Sequence, residues 1–369
     1  MIFKKKILIV SNGFYPEISP RSFRATELAK AFCNQGHDVT VISKFRKNDY
    51  TSFLSKYPIH FSMWGPPNLH PLPDIKSKPF SYIRNVLARL LLLFLEYPAI
   101  DDMFQVHRIL KNKKGYDLMI TFAVPHPVHW GAAWAVTKKN KPARIWVADC
   151  GDPYMGNILD RFKKPFYFGF FEKWFCRKAD YITVPIKSAI DGYYPEFHNK
   201  IRIIPQGFDF DLNALTKEFQ KNEVPAFAYA GGFLPGVRDP ARLLQFLSEL
   251  EIPFRFYIYT GDIDILNDYR EKLNGKLIIS DYIPREELIK ILAGMDFLIN
   301  FDNGTRLNSP SKLIDYAIVN RPVLNIQRDF RAEDMMEFLE GNYDKQMQLP
   351  DPRYFHIDRI TQSFLDLLL

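Results

Sequence analysis

The sequence predicts an α/β protein of two doubly wound domains, each a parallel sheet covered on both faces, meeting across a central cleft. Three observations carry this. The chain has 369 residues, too many for one ordinary core and suited to two. Short apolar runs alternate with helix-like segments up to residue 205, the pattern of parallel βαβ units. That alternation lapses in the polar stretch "QGFDFDLNALTKEFQKNEVP" (206–225) and then restarts.

In chain order, "ILIV" (7–10) is an apolar run long enough for a buried strand, followed by a loop to Pro20 and a helix over 21–35. Gly36 closes that helix, and "DVTVIS" (38–43) is the next strand. "YDLMITF" (116–122), a helix over about 127–139, "RIWVA" (144–148), a helix over about 165–178, "YITVP" (181–185) and "KIRIIP" (200–205) complete the first half. The second half reads "AFAYA" (226–230), a helix from Pro240, "FRFYIYT" (254–260), "KLIIS" (276–280), "DFLIN" (296–300), a "PSKLIDYA" helix and "PVLNI" (322–326). "RITQSFLDLLL" ends the chain as an amphipathic helix. The expected division is a first domain over 1–207, a second over 208–350, and a C-terminal helix over 351–369 that packs back on the first. Ligands of open α/β sheets bind at strand C-termini, so the two sets of strand ends are expected to form the walls of the cleft.

Composition narrows the function. Hydrophobic content of 47% and charged content of 25% suit a soluble globular protein, with aromatics high at 15%. The net charge of +7 favours acidic partners such as nucleotides, anionic lipid or phosphorylated substrates. Cys33, Cys150 and Cys176 lack metal-ligand spacing, which suggests a reducing, cytoplasmic location and no metal. "MIFKKKILIVSNG" reads as a first strand, not a signal peptide. "VLARLLLLFLEYPAI" (86–100), interrupted by Arg89 and Glu96, is too short to span a bilayer. The bases are scattered without a recognisable nucleic-acid module.

Two stretches of the second half point to an anion. In "AFAYAGGFLPGVRDPARLL", Gly231 and Gly232 follow a buried strand and allow close backbone approach to a ligand. Asp239 and Pro240 suit an N-cap and first helical position, leaving Arg238 at a helix N-terminus. "NSPSKLIDY" (308–316) repeats the arrangement: Ser309 suits the cap, and Ser311 and Lys312 fall in the first turn. A cation there opposes the helix dipole, and Lys312 before Asp315 is the less favourable ion-pair order. A bound diphosphate facing Lys312 and Arg238 removes the conflict. Asp315, one turn on, is placed to accept hydrogen bonds from ribose hydroxyls. The competing reading is a solvated Lys312–Asp315 pair.

The order "YAGGF…G-R-D-P", "DYIPREELIKILAGMDFLINF", "PSKLIDYAIVNRPVLNI" resembles the donor domain of GT-B glycosyltransferases of the retaining family 4 type. "ILIVSNGFYPEISPRSFRATELAKAFCNQGHDVTVIS" is similar to that family's opening strand, glycine loop and helix, and "FFEKWFCRKADYITVPIKSAI…KIRIIPQGFD" to the end of its first domain. The resemblance implies two Rossmann-like domains (GT-B), a nucleoside-diphosphate-sugar donor in the second and an acceptor on the first. It implies that Arg238 and Lys312 hold the diphosphate, Asp315 takes the ribose position, and the backbone around Tyr282 and Ile283 meets the base. The sequence departs from the family where the first of two glutamates falls at Leu307 and the second at Asp315, and where Gly232 stands at the arginine of an Arg–Lys pair. These changes match a capsule- and O-antigen-type branch.

In the first domain, strand-end loops offer His126 and His129 ("TFAVPHPVHWGAAW") and Asp149 and Asp152 ("WVADCGDPYMGN") as catalytic candidates. Each competes with a core or capping role. Gly13, Ser19 and Arg21 of the front loop are candidates for the acceptor or a donor phosphate, with surface charge the other reading of Arg21 and Arg24. "KSKPFSYIRNVLARLLLLFLEYP" and "DRFKKPFYFGFFEKWFCRK" mix aromatic, basic and apolar residues. One reading is peripheral contact with the inner face of the cytoplasmic membrane, suiting a lipid-linked acceptor. The preferred reading is core helices with snorkelling bases. The leading functional expectation is a retaining glycosyltransferase acting on a glycan or lipid-linked glycan hydroxyl without metal or other cofactor. A nucleotide-sugar epimerase and a non-catalytic sugar-nucleotide- or glycan-binding subunit stay open.

Overall fold

The computed structural model describes residues 4–17, 19–74, 78–157, 162–211, 221–302, 312–327 and 329–369. The chain divides into two compact units: Met1–Asp209 with Phe355–Leu369, and Phe210–Tyr354.

The first unit runs β1 (Lys6–Ser11), α1 (Pro20–Asn34), β2 (Asp38–Ser43), α2 (Thr51–Lys56), β3 (His60–Met63), α3 (Lys78–Leu95), α4 (Asp101–Leu110), β4 (Tyr116–Phe122), α5 (Pro127–Ala135), β5 (Ala143–Asp149), α6 (Phe168–Lys178), β6 (Tyr181–Val184) and β7 (Ile201–Ile203). All its strands pair in parallel, in the order β3-β2-β1-β4-β5-β6-β7. Ile7, Ile9, Val39, Val41, Leu118 and Ile120 enter one core, while Leu8, Val10, Ile42 and Met119 enter the core on the opposite face. Strands buried on both sides need the continuous apolar runs that made them visible in the sequence. β3 was not anticipated. It is an edge strand with no buried residue, so nothing forces a periodic pattern on "HFSM".

The second unit runs β8 (Ala226–Ala230), α7 (Ala241–Ser248), β9 (Arg255–Tyr259), α8 (Asn267–Lys272), β10 (Leu277–Ser280), α9 (Arg285–Ala293), β11 (Phe297–Phe301), α10 (Lys312–Val319), β12 (Val323–Ile326) and α11 (Ala332–Glu340). Its parallel sheet has the order β10-β9-β8-β11-β12. Phe227 stacks on Phe256 and Phe297 of the flanking strands, with ring centroids 4.6 and 4.7 Å apart, so part of the aromatic excess is sheet core. In both sheets the order reverses direction beside the first strand, leaving a crevice between β1 and β4 and another between β8 and β11.

α12 (Ile357–Leu365) returns to the first unit. Phe208 N donates to Phe355 O (2.8 Å) and Ile357 N to Phe208 O (2.9 Å), fastening the strand exit to the returning chain. Ile357, Ile360 and Phe364 join the core of α1, and Gln35 Nε2 donates to Thr361 Oγ1 (2.7 Å). Two helix limits differ from expectation. α5 stops at Ala135, because Val136 turns extended and Thr137 and Asn140 close a turn. α6 begins at Phe168, after a turn in which Phe168 N donates to Pro165 O (3.1 Å).

Candidate functional site

In the second unit, β8 ends in Ala230 and the chain turns at Gly231 with φ +144°, a conformation that L side chains rarely adopt. Gly231 N donates to Tyr259 O (3.0 Å). A Cβ on Gly232 would lie 3.1 Å from Asp262 Oδ2 and 3.5 Å from the Tyr282 hydroxyl, so the glycine lets three loops converge. Asp262, not anticipated, accepts from Phe233 N (2.8 Å), and Tyr229 donates its hydroxyl to Gly232 O (2.8 Å). The following loop closes on itself: Arg238 N donates to Leu234 O (2.8 Å) and Leu234 N to Arg238 O (3.1 Å). Asp239 accepts from Gly236 N and Ala241 N, so it caps from one position earlier than expected, with Pro240 at the strict N-cap of α7.

Lys312 opens α10 on the other side of the crevice. Tyr316 positions that helix: its hydroxyl accepts from Ala230 N (3.1 Å) and donates to Ile299 O (3.0 Å), tying α10 to β8 and β11. Lys312 Nζ lies 4.5 Å from the Tyr229 ring centroid, a cation–π contact. Neither Lys312 Nζ nor Arg238 Nε, both buried atoms, has a hydrogen-bond partner among the described residues. Burial pushes the Lys312 ammonium down to about 7, and Arg238 pushes in the same direction. Lys312 therefore feels a second cation, Arg238, and among the described residues neither forms an ion pair with a carboxylate.

The surface ion-pair reading of Lys312 fails. Asp315 is held instead by Arg285 of α9, with Oδ1 2.6 Å from Nη2 and 2.8 Å from Nε. Burial raises the Asp315 carboxyl and Arg285 opposes the rise. The expected ribose ligand is thus already ion-paired, and Arg285 is a site neighbour that sequence reasoning missed. Tyr282 stands exposed with its ring against Gly261, while Ile283 is half-buried beside it. Leu307, Ser309 and Ser311 lie outside the described residues.

In the first unit the front loop folds against its own helix. A Cβ on Gly13 would come within 2.0 Å of Ser22 Oγ, and Ser19 caps α1 by accepting from Ser22 N (3.2 Å). Ser19 is therefore engaged as a cap. Arg24 is not a surface charge. It is 2% exposed and forks onto Asp149, with Nε 2.9 Å from Oδ1 and Nη2 2.6 Å from Oδ2, while Nη1 and Nη2 also reach Pro205 O and Ile204 O. Thr183 Oγ1 adds a third donor to Asp149 (2.8 Å). That saturated, buried carboxylate corrects the catalytic expectation for Asp149: it locks α1, β5 and β6 together.

His129 needs the same correction. It is wholly buried. Trp146 Nε1 donates to Thr121 Oγ1 (2.9 Å), whose hydroxyl lies 2.8 Å from His129 Nδ1. His129 Nε2 lies 3.3 Å from Cys150 Sγ, and that thiol donates to Ala148 O. Each ring nitrogen thus faces a partner inside the core. Burial pushes the imidazole down to about 3, so it is a neutral core histidine. His126 and Asp152 are different. Burial also holds the His126 imidazole well below its usual range, but Nε2 has no partner among the described residues. Asp152 is exposed. Arg21 lies across Gly151, where a Cβ would strike its guanidinium, with Nη1 3.8 Å from Asp149 Oδ1. His126 and Asp152 follow the ends of β4 and β5, and Arg21 of α1 reaches the same loop. Among the described residues there is no group of three or more potential metal ligands.

No protein-family model and no curated protein sequence matches the chain. Solved structures match throughout its length. A glycosyltransferase from Rickettsia africae superposes with a TM-score of 0.61 at 14% identity, over 99% of this chain and 98% of its own. Anabaena Alr3699/HepE, solved with UDP and glucose, has a TM-score of 0.54 at 12% identity, over 99% of each chain. The fold is that of GT-B glycosyltransferases. A UDP-N-acetylglucosamine 2-epimerase from Rickettsia bellii shares it as well, with a TM-score of 0.52 at 12% identity over 99% of this chain and 96% of its own. At these identities the likeness is one of fold.

Proposed function

We propose that the chain is a retaining glycosyltransferase. It takes a nucleoside-diphosphate-sugar in the second unit and passes the sugar to a hydroxyl of a glycan or lipid-linked glycan at the cytoplasmic face of a membrane, as in surface-polysaccharide synthesis. One observation carries the reading: at the β8–β11 crevice, Lys312 Nζ and Arg238 Nε are buried and have no hydrogen-bond partner among the described residues. A nucleoside diphosphate supplies an anion for both cations, and exposed Tyr282, its ring against Gly261 and its hydroxyl near Gly232, offers an aromatic surface beside them. The neighbour solved with UDP and glucose supports the same ligand class.

In the reaction the bond from the sugar's anomeric carbon to the diphosphate breaks and one to the acceptor oxygen forms. Lys312 and Arg238 stabilise the negative charge gathering on the leaving phosphate, and the departing oxygen takes up the hydroxyl proton on the face of attack. Those two cations do the neutralising without a metal. His126, Asp152 and Arg21 are assigned to the acceptor side.

A second reading is a nucleotide-sugar-binding subunit without turnover, favoured by the loss of Asp149 and His129 to the core. A panel of nucleotide sugars scored by thermal stabilisation identifies the donor, since ligand binding to the folded state raises its stability. Release of nucleoside diphosphate, abolished in Lys312→Ala, supports transfer. Stabilisation without turnover on any acceptor supports the binding subunit. Unchanged nucleotide affinity in both Lys312→Ala and Arg238→Ala overturns the site.

A further inference from the structure

α3 is amphipathic in the inverse sense for a core helix. Residues 80–95 include none that is buried. Ser81, Arg84, Ala88 and Leu91, at spacings of three and four, are half-buried and form the side turned toward the unit. Ile83, Val86, Leu87, Leu90 and Phe94, at the same spacings on the other side, are 42–61% exposed. The expectation of a core helix with snorkelling bases therefore fails for α3. It holds for α6, where Phe168, Phe175 and Cys176 are buried.

The apolar surface continues beyond the helix. Tyr167 donates its hydroxyl to Phe94 O, and Lys164 Nζ pairs with Glu96 at 2.6 Å, bringing the segment after residue 161 to the C-terminal end of α3. There Phe162, Phe166 and Phe170 are 53, 80 and 70% exposed. At about 200 Å² per large side chain and roughly half exposure, the patch reaches on the order of 1,000 Å², above what a typical monomer surface carries.

We propose that α3 and the 162–170 segment dock the chain on an anionic lipid surface. Three features favour that occupant. α3 contains no acidic residue, and exposed Arg89 and Lys163 flank the apolar stripe, so the charge complements phosphate headgroups. A two-fold contact with a second copy would set the same bases against each other. Among the described residues no helix is long and apolar enough to cross a membrane, so α3 lies in the interface plane. The inference rests on the proposed function only for the choice of membrane face.

The test is co-flotation of the full chain with phosphatidylglycerol-containing vesicles and with pure phosphatidylcholine vesicles, with neither donor nor acceptor present. The expected result is binding to the anionic vesicles, weakened by salt. The triple variant Ile83→Ser, Leu87→Ser, Leu90→Ser should lower binding at least tenfold with an unchanged melting transition. Arg89→Gln and Lys163→Gln should lower it about fivefold each. Absence of vesicle binding, or equal binding by the triple variant, overturns the proposal. So does a dimer in solution that the triple variant dissolves while vesicles bind neither protein. A chain that floats with vesicles yet shows no stabilisation by nucleotides leaves the docking proposal standing and removes the donor site.

Discussion

Lys312 combines three properties that rarely coexist in a structural lysine: a buried ammonium, an aromatic face beneath it, and a second cation nearby. Its depressed pKa gives a pH signature. A diphosphate binds the protonated form, so nucleotide affinity should fall as pH rises above about 7, measured by calorimetry, and Lys312→Arg should flatten the slope. Lys312→Ala and Arg238→Ala should each weaken binding by roughly 1.5–3 kcal/mol, as lost charged hydrogen bonds do. Glu172 supplies the opposite case in the first unit. It accepts from Tyr154 N (3.1 Å), and burial pushes its carboxyl up to about 7 from 4.5. The folded state therefore holds a proton that the unfolded state has released, and this contribution to stability is complete below about 4.5 and lost as pH rises through 7. Glu172→Gln should be more stable than wild type at pH 8 and lose that advantage on acidification, read from denaturant midpoints.

At the scale of elements, each site is only as precise as the helix that presents it. Tyr316 ties α10 to two strands through one hydroxyl. Tyr316→Phe removes both hydrogen bonds and leaves Ala230 N and Ile299 O buried, at about 1–3 kcal/mol of stability. Nucleotide affinity should fall with it, because Lys312 rides on the same helix. The Arg24–Asp149 lock works the same way across α1, β5 and β6. Asp149→Ala strands a buried guanidinium and should cost about 3–5 kcal/mol in denaturant unfolding. Strand and helix positions were legible here because buried parallel strands must be continuously apolar. β3, with no buried residue, carried no such signal.

At the scale of the whole molecule, the C-terminal helix belongs to the first unit although a complete second unit precedes it in sequence. Phe364 is fully buried against α1. Phe364→Ala should cost about 3–5 kcal/mol. In a calorimetric scan it should lower one transition, while a bound nucleotide raises the other. A single transition moved equally by both would contradict the division into two units.

By itself the sequence determined the two parallel α/β sheets and singled out Arg238 and Lys312. Apolar periodicity, glycine after a strand and a misplaced helix charge are all local signals. Partnership was decided only by tertiary structure. Asp149 and His129 look reactive in sequence, yet Arg24, over a hundred residues away, and Thr121 and Cys150 absorb them. Asp315 is claimed by Arg285 from another helix. The apolar stripe of α3 has the same sequence signature whether it faces a core or solvent, and only packing decided that it faces out. The physical reason is common to all four: what a polar or apolar side chain does depends on what lies opposite it, and that is a property of the fold.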